Sequence, residues 1–186
     1  MTTHIQFSPG DYLAPAVDWL NTNLHGLFKG ISQVVEALLG AVEGALLAPH
    51  PYLFIGIVVV AAFFFANKRV AVFAAVMLAF CLFAGLWVAS IQTIALVSVA
   101  VLISVAIAFP LGVLAARVKR VDEALLPILN IMQTVPPWVY LIPAVMLFSL
   151  GRVPAIIATI VYGIPPMLRL TTLAFKQLPK DLLVLG

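Results

Sequence analysis

At 186 residues, with 64% hydrophobic and only 9% charged residues and a mean hydropathy of +1.18, the chain lacks the charged surface of a water-soluble domain, which runs to about 25%. Its net charge of +3 is spread over the ends of apolar runs, with no aromatic-interleaved basic patch, so nucleic acid is excluded as a partner and membrane lipid is expected instead. The single cysteine, Cys81, rules out an intrachain disulfide, and His4, His25 and His50 lie far apart with no Cys or carboxylate at ligand spacing, so no metal site is expected.

Residues 1–50 read as a region of their own. From Pro15 onward Val17, Leu20, Leu24, Leu27, Ile31, Val34, Leu38, Val42 and Leu46 recur at helical spacing, with Asp18, His25, Lys29, Glu36 and Glu43 among the residues between them. The pattern predicts an amphipathic helix, broken near Gly26 to Gly30. It should lie on the membrane surface or against the spans, because its polar face would be costly in hydrocarbon. Pro49, His50 and Pro51 end it. No basic n-region leads directly into an apolar core, so a cleaved signal peptide is not expected.

Residues 51–186 read as a polytopic, all-α transmembrane domain of about five spans: Pro51 to Ala66, Val70 to Ser90, Ile91 to Ala116, Trp138 to Leu150 and Val153 to Leu170. A turn near Gly85 to Gln92 separates the second span from the third, and Pro110 should kink the third near its far end. Asp122 and Glu123 sit beside Arg117, Lys119 and Arg120, which reads as a solvated loop and not as an acid–base pair. The fourth span is short and should begin as an irregular segment at Gln133 to Pro137. Gly151 and Arg152 make a tight turn before the fifth. With Lys68 and Arg69 on the cytoplasmic side, alternation brings Arg117, Lys119, Arg120, Arg169, Lys176 and Lys180 to that side and leaves only Lys29 and Arg152 outside. The positive-inside bias then places the N-terminal helix outside and the C-terminus in the cytoplasm.

Between Met132 and Thr172 an apolar stretch is interrupted by Pro136, Pro137, Pro143, Pro154, Pro165 and Pro166. Proline removes a backbone donor that lipid cannot replace, so broken helices at membrane depth belong against protein or beside a water-filled cavity. Gln133 and Thr134, just before the Pro136–Pro137 break, either face such a pathway or satisfy the broken helix. Trp138 and Tyr140 invite an aromatic cage for a quaternary ammonium. Against that, interfacial Trp and Tyr are common anchors, and positions i and i+2 point to different helix faces. No phosphate-cradling G-x-x-x-x-G-K-[ST] sequence is present, so ATP hydrolysis is not expected on this chain, nor any other catalytic constellation.

Met132-Gln133-Thr134, Val139-Tyr140-Leu141-Ile142-Pro143, Val145-Met146-Leu147-Phe148 and Pro165-Pro166-Met167-Leu168-Arg169-Leu170-Thr171 together resemble the permease subunit of ABC importers for glycine betaine and proline. The likeness extends upstream through Pro110-Leu111-Gly112 and downstream to Gln177-Leu178-Pro179-Lys180-Asp181-Leu182. It covers residues 90 to 182 closely and the earlier part loosely. The resemblance implies a binding-protein-dependent inner-membrane component: a second permease subunit, usually an identical one, an extracytoplasmic binding protein that carries the high-affinity aromatic cage, and a cytoplasmic ATPase that holds ATP and magnesium, leaving this chain without a cofactor. It also implies Gln133, Thr134, Pro136, Pro137, Trp138 and Tyr140 as pathway neighbours and Leu178, Pro179, Lys180 and Asp181 as the ATPase-facing end.

The resemblance departs at the C-terminus. The family's cytoplasmic EAA-type loop, which docks on the ATPase, should follow Asp181-Leu182, but Leu183-Val184-Leu185-Gly186 lacks its acidic and small residues. Two further spans of the family pattern are also absent, so the sequence reads as truncated near that motif. Two other readings follow: a permease remnant that inserts without coupling, or an ATP-independent channel or carrier. Against the carrier, the only acidic residues from Pro51 to Leu170 are Asp122 and Glu123, both in the expected loop, whereas ion-coupled carriers place carboxylates within the membrane.

Overall fold

The computed structural model describes residues 9–178, and every regular element among them is helical: α1 (Pro9–Leu47), α2 (Pro51–Phe65), α3 (Lys68–Phe83), α4 (Trp87–Arg117), α5 (Lys119–Thr134), α6 (Pro137–Phe148) and α7 (Arg152–Lys176). The five expected spans correspond to α2, α3, α4, α6 and α7. By length and composition Asp18–Leu47, Trp87–Arg117 and Arg152–Lys176 can each cross a membrane, and α5 with α6 forms a fourth crossing if the bent pair is taken as one.

The centre of the molecule is the pair α4 and α7. Along α4, Trp87, Ile91, Ala95, Val99, Ser104, Ala108, Gly112 and Ala115 are buried, mostly four residues apart and mostly small. Small residues let helix backbones approach closely, and in lipid that close packing replaces the hydrophobic drive. Ala95 and Val99 cluster with Val153 and Ile156. Further along, Ser104 Oγ reaches the Ile160 carbonyl at 3.4 Å, Ala108 packs with Leu168, and Thr172 Oγ1 donates to the Gly112 carbonyl at 3.2 Å. Residue numbers rise together on the two helices, so they run parallel. A parallel pair needs a return crossing, and α5 and α6 supply it.

Several boundaries differ from the sequence expectation. The second span ends at Phe83, not Ser90, because Gly85 takes a left-handed φ of +74° and closes a Schellman cap. Leu86 N–H bonds the Cys81 carbonyl at 2.9 Å, and Gly85 N–H bonds that of Leu82 at 3.2 Å. The third span, α4, therefore starts at Trp87, not Ile91. The expected loop around Asp122 and Glu123 is instead the first turn of α5, whose Leu125, Leu129 and Met132 pack at helical spacing against Ala108 and Leu168. The irregular start of the fourth span shrinks to Val135 and Pro136.

The expected break in α1 at Gly26 to Gly30 is absent; the helix runs unbroken. A helical glycine costs about 1 kcal/mol, which tertiary contacts override. Here Phe28 meets Phe148 edge-on at 5.2 Å, and Val35 and Leu39 bury against α4 and α7.

Most of the prolines also stay inside helices. Pro154 falls in the first turn of α7, where its missing donor has no partner to lose. Pro110, Pro143, Pro165 and Pro166 lie within continuous helices, and Pro165 is fully buried.

The α2–α3 hairpin stands apart, with no buried residue on α2 and only Ala71 on α3. Phe54 touches Trp87 edge-on at 5.6 Å and links the hairpin to α4. Asn67 caps α3 by accepting from Val70 N–H at 3.0 Å. Asn67→Ala is expected to cost about 1 kcal/mol of local stability, read as faster amide exchange over the first turn of α3 and unchanged exchange in α7.

Candidate functional site

The site is built on the break between α5 and α6, whose axes differ by 95°. Pro136 and Pro137 have no N–H to give, so the carbonyls of Met132 and Gln133 lose their helical donors. Neighbouring groups tie the break together at the Ile131 carbonyl. It accepts Val135 N–H at 3.0 Å, Thr134 Oγ1–H at 3.1 Å and Tyr140 O–H at 3.3 Å. Thus the Thr134 hydroxyl is used within the broken end, and Tyr140 braces α6 back onto α5. Gln133 is exposed on the last turn of α5.

Trp138 takes the other face of α6, as the i, i+2 spacing requires. With Pro137 and Leu141 it lines a cleft of about 270 Å³ against Ala155, Ala158, Thr159 and Tyr162 of α7. The structure therefore joins Trp138 with Tyr162 and directs Tyr140 elsewhere. Tyr162 and Thr159 escaped the sequence reading. Their signal is the α7 spacing Ala155, Ala158/Thr159, Tyr162, which shares one helical face. One turn further along α7, Pro166 leaves the Tyr162 carbonyl without its helical donor.

Beyond the bend, α5 lies along the C-terminal half of α7. Asp122 receives Lys176 Nζ at 2.5 Å, and Arg169 Nη2 donates to Asn130 Oδ1 at 2.6 Å. Asp122, Arg169 and Lys176 border a second cleft of about 200 Å³. Leu178 is exposed just past the end of α7, while Pro179, Lys180 and Asp181 lie outside the described residues.

At the opposite end of the bundle Arg152 opens α7 and holds α1. Its Nη2 meets Glu36 at 2.6 Å and its Nη1 meets Glu43 at 2.8 Å, while Gln92 of α4 donates to Glu43 at 2.9 Å. Asn21 Nδ2 adds a bond to the Met146 carbonyl of α6 at 3.0 Å. Among the described residues, no three His, Cys, Asp or Glu side chains gather into a possible metal site.

Residues 108–185, which take in the end of α4, the broken return and all of α7, match the model of the binding-protein-dependent transport system inner membrane component family. Over this stretch, a little under half of its length, the chain resembles that family. Its sequence is 34% identical over 174 residues to the glycine betaine transport system permease protein OpuAB of Bacillus subtilis, covering 93% of this chain and 61% of that protein. It is 34% identical over 175 residues to the glycine betaine/proline betaine permease protein ProW of Escherichia coli, covering 92% and 49%. Against the glycine betaine/carnitine permease protein GbuB of Listeria monocytogenes identity is 33% over 180 residues, covering 90% and 63%. The chain thus spans about half to three fifths of the length of these relatives.

Proposed function

We propose that the chain forms part of the membrane-spanning subunit of an ATP-driven importer for glycine betaine and related quaternary-ammonium osmoprotectants. The observation that carries this reading is the broken α5–α6 return packed on α7. Backbone interrupted at membrane depth belongs beside a pathway, and here it borders a cleft between Trp138 and Tyr162. An aromatic wall without a charged side chain suits a bulky, weakly hydrated cation. The relatives' own named substrates agree with that chemistry.

On this reading Pro136, Pro137 and Trp138 border the pathway, with Gln133, Thr134 and Tyr140 shaping the break. Leu178, Pro179, Lys180 and Asp181 lead toward a separate ATPase that binds ATP and magnesium, and a second permease subunit completes the enclosure. Arg117, Lys119, Arg120 and Lys176 gather where α4 and α7 end, which supports a cytoplasmic C-terminal side. Arg152 at the other end is paired with Glu36 and Glu43. That pairing supports an extracytoplasmic layer formed by residues 1–50, on which a binding protein would dock above the permease domain of 51–186.

The test is labelled glycine betaine uptake in cells lacking other uptake systems. They would express the chain, joined to the downstream segment of its relatives, with ATPase and binding protein. Uptake should require ATP, and Trp138→Ala should lower it by about tenfold at unchanged membrane abundance. Uptake that survives ATP depletion with the proton gradient intact would overturn the reading.

A further inference from the structure

The guanidinium of Arg169 is short of partners. Its Nη2 donates to a neutral acceptor, Asn130 Oδ1, at 2.6 Å, and its Nε–H is buried with no acceptor among the described residues. Among the described residues the one carboxylate lining the neighbouring cleft, Asp122, is taken by Lys176 at 2.5 Å. Asp122, Arg169 and Lys176 together leave one positive charge unbalanced in a space of about 200 Å³. Arginine cannot escape by losing its proton, so a buried, unanswered N–H on a charged group calls for an anionic acceptor.

The surroundings narrow the kind of anion. The rest of the wall is leucine and threonine, and two of the leucines, Leu126 and Leu173, are also exposed on the outside of the helix pair. A cationic pocket opening onto exposed leucine suits an amphiphile, with its charge inside and its apolar part along the outer face. Depth agrees. Arg169 lies seventeen residues after Arg152 on the same helix, about 25 Å along the axis at 1.5 Å per residue. A hydrocarbon layer is about 30 Å thick, so the guanidinium sits close to the level where headgroups begin.

We propose that the cleft between α5 and α7 binds a phosphate oxyanion through Arg169, with Lys176 at its edge, the phosphate being the headgroup of an anionic phospholipid. Free phosphate offers the same oxygens without the apolar part, and the two sources separate by experiment. The full chain in neutral detergent is titrated with phosphatidylglycerol, with phosphatidylcholine and with inorganic phosphate, and binding is followed by native mass spectrometry and thermal stability.

Phosphatidylglycerol should bind and stabilise, and Arg169→Gln should weaken it by about tenfold or more. Lys176→Gln should weaken it less, and Arg120→Gln, at an exposed position on α5 outside the cleft, should leave it within about twofold. Arg169→Lys keeps the charge but lacks Nε; an intermediate loss there, at unchanged helix content and elution volume, supports the site even if the Gln variant folds poorly. Inorganic phosphate matching phosphatidylglycerol, with the same dependence on Arg169, would keep the oxyanion site and assign it to the free ion. Equal binding of phosphatidylcholine, or undiminished binding in both Arg169 variants, would overturn the proposal. None of these readouts requires transport, so their failure leaves the proposed function standing.

Discussion

Gly112→Val is expected to prise α4 and α7 apart. A Cβ at Gly112 would meet Thr171 Cβ at 2.7 Å, Thr171 Cγ2 at 2.9 Å and the Leu168 carbonyl oxygen at 3.0 Å. Two of these atoms are backbone or fixed to it, so no rotamer change clears them, and the helices must separate. That separation strains the Thr172–Gly112 hydrogen bond and the Ala108–Leu168 packing. Lipid competes on equal terms for the apolar faces so exposed, leaving little force to restore the pair. Overpacking of this kind costs about 1–3 kcal/mol, visible as a lowered thermal midpoint in detergent.

Gly163→Ala is the matched comparison. Its Cβ would meet Ser104 Oγ at 3.0 Å and Cβ at 3.5 Å, and the hydroxyl can turn away at the loss of its bond to the Ala100 carbonyl. The shift should be smaller than at Gly112. Thr171→Ala keeps the nearest clashing atom and should not rescue Gly112→Val, whereas Thr171→Gly removes two of the three and should rescue it in part. Equal midpoints for the Gly112 and Gly163 variants would show that the helices are not in this close register.

Leu39→Ala is expected to loosen α1 more than Arg152→Ala does. Leu39 is only 1% exposed, wedged among Ala95, Val99, Val153 and Ile156, and truncating such a side chain costs about 2–5 kcal/mol in water-soluble proteins. The Arg152 pairs have shorter contacts, but 45% of Arg152 and 40% of Glu36 stay accessible, with only Glu43 more enclosed at 17%. Exposed pairs contribute about 0.2–1 kcal/mol each. A bifunctional thiol reagent would report the difference in a Cys81→Ser background carrying Val35→Cys and Val99→Cys, which belong to one cluster. Cross-linking should fall furthest with Leu39→Ala. The reverse order would mean that charge, and not packing, holds α1.

The helices themselves were legible because their apolar runs are long and their stops are chemically marked, as at Gly85 and at Pro49 to Pro51. Their pairing was not. The α4 helix is apolar on every side, so no amphipathic stripe names its partner; only the small residues Ala95, Ser104, Ala108 and Gly112 do, through their spacing. The start of α5 was misread because a cluster of charges hid the period of Leu125, Leu129 and Met132 behind it. At the site, Trp138 was found from its proline neighbours and Tyr140 was separated from it by spacing. Tyr162, by contrast, comes from α7 and reaches the same cleft only through the fold of the return.

The parallel register of α4 and α7 also sets an order of assembly. Their contacts join residues 56 and 60 positions apart, and the contacts of Arg152 with α1 span 109 and 116. Translation adds roughly 5–20 residues per second. The small-residue face of α4 therefore waits for seconds in lipid before α7 emerges. The docking ground for Leu39 stays incomplete until Val153 and Ile156 arrive, so α1, though made before α4 and α7, is among the last to find its place.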